Sequence, residues 1–119
     1  MNVTIDGIER GFFFGTHTFR IIREVSGVDS IEDVFKKLVN EKKEYSLVEQ
    51  ITFISTFLYS CARHYNESNS IAVDFNEANV SDWMDELGLT ESMKLVTELV
   101  KVYKTKNLKA PAMGHLKQA

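Results

Sequence analysis

Three consecutive phenylalanines, Phe12, Phe13 and Phe14, stand between Gly11 and Gly15, and no single core face can take all three from an extended chain. Successive side chains on a strand leave on opposite faces. Both faces of this segment therefore have to be covered. Either the chain itself supplies the cover, with one or two rings in the core and the third under the first helix, or an aromatic contact with another chain does.

The residues around the trio predict what it is attached to. Val3-Thr4-Ile5 alternates, Asp6-Gly7 tolerates the positive φ angles of a type I′ turn, and Ile8 to Phe14 can return as a second strand. This is a β-hairpin over residues 3–14, and an isolated hairpin is marginal in water, so it has to pack on something. Gly15-Thr16 breaks the strand, Thr16 can cap the following N–H groups, and Phe19, Ile22, Arg23 and Ser26 mark a helix ending at Gly27.

Ser30-Ile31-Glu32-Asp33 resembles a capping box, and Ile31, Val34, Phe35 and Leu38 form a helical stripe that the polar NEKKE stretch at 40–44 ends. Ser46-Leu47-Val48-Glu49 is a fuller capping box. It opens a helix whose apolar residues, among them Leu47, Ile51, Phe53, Ile54, Phe57, Leu58, Cys61 and Ala62, circle most of the surface. Such a helix belongs at the centre of a domain or against a partner.

Asn66 to Ser70 reads as a polar loop, and the alternation of Ile71, Val73 and Phe75 fits a short strand or an extended link. Helical spacing resumes near Asn76 with Val80, Trp83, Met84 and Leu87, and Gly88 suits the residue after a helix. Thr90 can cap a last helix carrying Leu95, Val96, Leu99, Val100 and Tyr103. Beyond Lys104 the chain turns basic, and Pro111 and Gly114 predict a flexible tail over 106–119. The expected fold is mainly α: one compact domain over 1–105, an N-terminal β-hairpin followed by about five α-helices.

The 119 residues suit a single core, and 44% hydrophobic with 26% charged residues is too apolar for a disordered chain. A net charge of −3 lacks the basic excess that phosphate backbones demand, so nucleic acid is not an expected partner. Cys61 is the only cysteine, which excludes an internal disulfide and suits a reducing compartment. No basic leader followed by an apolar run and no membrane-length apolar stretch is present, so the expectation is a soluble, cytoplasmic protein without a membrane partner.

Catalytic and metal chemistry finds little to use. Cys61 and His64 share a helix face like half a metal site, but His17 and His115 lie in unrelated segments, and a packed thiol is the plainer reading. Cys61 also lacks an oxyanion-hole motif or an orienting acid for nucleophilic work. Asp82, Asp85 and Glu86 around Trp83 fall within one helix, where carboxylates face water rather than each other across a substrate. Gly11 and Gly15 fit neither a P-loop nor a dinucleotide fingerprint. The lysines Lys104, Lys106, Lys109 and Lys117 read as a solvated tail. The expectation is a protein without enzymatic activity, metal or cofactor.

Two stretches together carry a resemblance. The hairpin with its DG turn, followed by FGTHTFRIIREVSGVDSIEDV, resembles the start of the small tail assembly chaperones of long-tailed, siphovirus-like bacteriophages, and ANVSDWMDELG is similar to a V-x-D-W helix late in the same family. The likeness covers roughly residues 3–105, while the polar NESNSIAVDF segment falls outside the pattern. It implies a chaperone that binds the tape-measure protein, keeps its apolar helices soluble until tail tube protein polymerises around them, and is absent from the mature virion. Many such chaperones also have a longer, frameshift-extended form that recruits tube protein, and the segment after Lys104 is where an extension would attach.

The contact residues this reading names are Phe12, Phe13, Phe14, Phe53, Phe57 and Trp83. Helix-in-groove binding of an apolar client needs such surface. Whether the chain forms a homo-oligomer is left open. The alternative is a small phage or prophage regulatory protein that binds and inhibits a host enzyme, with the acidic helix Asp82 to Glu86 as the contact.

Overall fold

The hairpin turns at Asp6 and Gly7, whose φ angles of 52° and 78° are the paired left-handed conformations that a two-residue type I′ connection requires. The computed structural model describes residues 1–107. Strands β1 (Asn2–Ile5) and β2 (Ile8–Gly11) pair antiparallel, with Ile5 opposite Ile8 and Asn2 opposite Gly11.

The second strand ends at Gly11, short of the expected Phe14. Phe12 N–H still reaches back to the Met1 carbonyl (2.8 Å), but Phe13 N–H turns to the carbonyl of Cys61 (3.0 Å), a residue inside the central helix. The segment thus docks on a helix backbone instead of extending the sheet. Alternation survives the change: Phe12 and Phe14 point inward and are buried, while Phe13 points out and is 42% exposed.

Helix α1 (Thr16–Ser26) starts from an extended Gly15. Thr18, and not the expected Thr16, supplies the side-chain cap, its Oγ1 accepting the Gly15 N–H (3.0 Å). Gly27 (φ 78°) closes the helix with its N–H on the Arg23 carbonyl. Helix α2 (Ile31–Val39) is capped by Ser30, whose Oγ accepts from Asp33 N–H, and stops at a left-handed Asn40. The Asn40 side chain then clamps the loop through Tyr45 N–H and C=O.

Helix α3 (Leu47–Ser68) carries the reciprocal Ser46–Glu49 capping box. At 22 residues, it spans about 33 Å. It is the central element: α1, α2, α4 and β2 all pack on it, which is why its apolar residues run around the helix. The expected loop at 66–70 begins late, since Asn66 to Ser68 are helical. An Arg63–Glu67 ion pair (2.8 Å) one turn apart and the Asn66 side chain on the Ala72 carbonyl (3.0 Å) hold that last turn.

Residues 71–75 form no strand. They link α3 to the next helix without regular structure, and Asp74 meets Arg10 (2.9 Å). Helix α4 (Glu77–Leu87) is capped reciprocally by Asn76 and Asn79. Gly88 (φ 87°) joins it to α5 (Leu89–Asn107), which therefore starts one residue before the expected Thr90 cap. Ser92 bonds back to the Gly88 carbonyl through both its N–H and its hydroxyl. The fold is mainly helical, among the described residues a two-stranded hairpin and five helices around one hydrophobic cluster. The tail expected over 106–119 lies outside the described residues from 108 onward; Lys106 belongs to α5.

Candidate functional site

Four of the six aromatics expected to meet a partner are core residues. Phe12, Phe14, Phe53 and Phe57 are buried within the chain's own hydrophobic cluster, Phe12 and Phe14 beneath the groove described below. Phe14 packs on Phe57 and Tyr103, with ring centroids 4.8 and 4.6 Å away. Trp83 is half-buried, its ring edge-on to Phe12 (6.2 Å) and under the Arg10 guanidinium (4.7 Å). Its task is to fasten the hairpin to α4. Phe13 alone among the six is exposed, and it stands at the edge of a groove.

That groove has a volume of about 720 Å³. Its walls follow helical spacing: Leu99, Val102, Tyr103 and Lys106 form one stripe along α5, and Thr16, His17 and Arg20 share a face of α1. Phe13 and Gly15 lie at the entry to α1, and His64 reaches in from α3. Phe13 meets His64 edge-on at 4.7 Å, and a methyl group placed on Gly15 would come within 3.2 Å of the imidazole. An alanine at position 15 would require the imidazole to give way by a few tenths of an ångström.

His64 is held from behind. Its Nδ1 lies 2.7 Å from Thr18 Oγ1, and the same hydroxyl reaches the Phe13 carbonyl (3.1 Å) and the Gly15 N–H (3.0 Å). Burial holds the His64 imidazole below its usual pKa, and the neighbouring His17 adds to the effect. His17 Nε2 in turn meets Glu67 (2.6 Å), which also takes Arg63 (2.8 Å), and Arg63 continues to Glu24 (2.7 Å). Arg63 and then His17 hold the Glu67 carboxyl below its ordinary range. This chain of charges ties α1 to α3 along the groove's outer flank.

Sequence reasoning named Phe13 but missed His64, Arg20, Val102 and Lys106 as a set. The 99, 102, 103, 106 spacing was present as a signal on one helix. Nothing local says that α1 will lie opposite.

The other chemical candidates have settled positions. Cys61 is fully buried and its thiol is pushed up by that burial, so it holds no thiolate for nucleophilic attack. Among the described residues no group of three or more His, Cys, Asp or Glu side chains gathers as a metal site. Among them also, no helix is long and apolar enough to cross a membrane. Comparison of the chain with protein-family models, curated proteins and solved structures gave no match. The groove's capacity therefore rests on its own geometry: an apolar floor, a hydrogen-bonding imidazole and a cationic rim.

Proposed function

We propose that the chain is a binding protein without catalytic chemistry, acting as a phage tail assembly chaperone that holds a tape-measure protein until tail tube protein polymerises around it. The observation that carries this reading is the open groove beside Phe13, where an exposed aromatic and the Val102 side chain stand at the mouth of an apolar floor. An amphipathic client helix binds through such a surface by burying residues at helical spacing. Further apolar side chains are exposed where α2 meets α3, at Val39, Leu47 and Val48 (59%, 65% and 74%). They add area for a long client. The resemblance of residues 3–105 to tail chaperones supplies the client's identity, the host cytoplasm as the place of action and absence from the finished virion.

The test is affinity purification of the tagged protein from infected cells with mass spectrometry of what accompanies it. A long tape-measure protein, with tube protein, is the expected prey, and purified particles should lack the chain. Recovery of a host enzyme alone overturns the reading. It would favour an inhibitor that uses Asp82, Asp85 and Glu86, which are exposed and make no ion pair among the described residues.

A further inference from the structure

The chain carries a net charge of −3, yet the groove beside Phe13 is lined by Arg20 and Lys106 and, among the described residues, by no aspartate or glutamate. The two cations stand on opposite walls, Arg20 on α1 and Lys106 on α5, and both are exposed. Neither has an ion-pair partner among the described residues. The contrast with a smaller hollow of about 330 Å³ beside α2 is sharp. There Lys36 and Lys42 are interspersed with Glu32, Glu41 and Glu44, and Lys36 already pairs with Glu32 at 3.4 Å.

Between the two cations the floor is apolar, with Phe14, Leu99 and Tyr103, and Phe13 and Val102 stand at its mouth. A purely apolar ligand would strip water from Arg20 and Lys106 without replacing it, which disfavours binding. A basic ligand would be repelled. The imidazole of His64 adds a handle: its Nδ1 is committed to Thr18, and Nε2 has no partner among the described residues, leaving it to face ligand or solvent.

The geometry points to a partner of one chemistry: a peptide segment with an apolar anchor flanked by carboxylates, the anchor on Phe13 and Val102 and the carboxylates against Arg20 and Lys106. This deepens the proposed function and rests on the groove being the client-binding face.

Fluorescence anisotropy with short labelled amphipathic peptides tests it on the full chain. Three peptides share one leucine and phenylalanine face and differ only in flanking glutamate, glutamine or lysine. The glutamate peptide should bind at least about tenfold more tightly than the glutamine peptide, with the advantage shrinking as salt rises. The lysine peptide should bind weakest. Arg20→Glu combined with Lys106→Glu should remove the advantage while leaving the melting temperature in place, since both side chains are exposed. Equal binding of the glutamate and lysine peptides, or an advantage that survives the double variant, overturns the inference. So does sedimentation showing a self-associated chain that the double variant converts to monomer, because a second copy would then be the occupant. The two readings fail separately. A tape-measure protein recovered equally by wild type and double variant leaves the chaperone standing and removes the acidic client. A peptide preference without tape-measure recovery does the reverse.

Discussion

Thr18 Oγ1 lies 2.7 Å from His64 Nδ1, and the same hydroxyl reaches the Phe13 carbonyl and the Gly15 N–H. It accepts from Gly15 and has one proton, for which the Phe13 carbonyl and an unprotonated Nδ1 are the two acceptors. One side chain thereby joins the entry of α1 to α3, and the exposed Phe13 is held beside the imidazole it packs on.

Thr18→Val keeps the shape and removes the hydroxyl. Gly15 N–H, Phe13 C=O and His64 Nδ1 lose a shared partner in a fully buried position, and stranded polar groups cost on the order of 1–3 kcal/mol each when water cannot reach them. A loss of about 3 kcal/mol and a fall in melting temperature of roughly 10 °C are expected. Thr18→Ser should lose about 1 kcal/mol, the transfer contribution of a buried methyl. Chemical denaturation of both variants checks the ordering, and equal losses would show that packing, not the hydroxyl, is what Thr18 supplies.

The depressed pKa of His64 gives stability a direction in pH. Folding favours its neutral form, so the unfolded chain binds the proton more readily than the folded one. The contribution is fully present above the ordinary value of 6.5 and is lost as pH falls from there through the lower folded value. Glu67, also depressed, acts in the same direction but only near and below its ordinary 4.5. Urea midpoints should therefore fall between pH 7.5 and 5, and His64→Gln should be less stable at pH 7.5 but flatter over that interval. A wild type and variant with parallel profiles would remove His64 from the account.

The hairpin and most helix starts were legible because their signals are local: Asp6-Gly7 for the turn, and Ser30 and Ser46 for the caps. Helix α3 was legible as central or partner-facing because its apolar residues circle most of its surface, and only its packing against α1, α2, α4 and β2 decides for the centre. The fate of the three phenylalanines was legible only as one or two rings in the core with the rest covered by the first helix or by another chain. Which pair goes inward depends on Phe13 N–H meeting the carbonyl of Cys61, a distant contact with no local trace. The same holds for His64, expected to share a helix face with Cys61 and found turned toward Thr18 on another helix. Phe53 and Phe57 illustrate a deeper limit: residues that fill a core and residues that fill an interface are drawn from the same types.

Gly11 closes β2 against a tyrosine ring. A methyl group added there would stand 2.2 to 2.4 Å from three ring carbons of Tyr65, closer than carbon atoms approach without displacement. Gly11→Ala should destabilise by about 1–3 kcal/mol, the usual cost of overpacking. Replacing Tyr65 by alanine removes the obstacle, so adding Gly11→Ala to Tyr65→Ala should cost almost nothing further. A double-mutant cycle measures the difference, and simple additivity would mean that the backbone, not the ring, demands glycine.

Phe13 and Phe57 separate surface from core with the same chemical change. Phe57 has no exposed surface, and deleting its ring leaves a cavity worth roughly 3–5 kcal/mol. Phe13 is 42% exposed and makes its ring contact with His64, so Phe13→Ala should cost only about 1 kcal/mol. Binding should divide the other way. With both variants held at a temperature where each is folded, Phe13→Ala should weaken capture of the glutamate-flanked peptide, while Phe57→Ala, whose ring lies beneath Phe14 and away from the mouth, should bind near wild type. If Phe13→Ala instead loses as much stability as Phe57→Ala and keeps its peptide affinity, Phe13 is a core residue and the groove has no aromatic anchor.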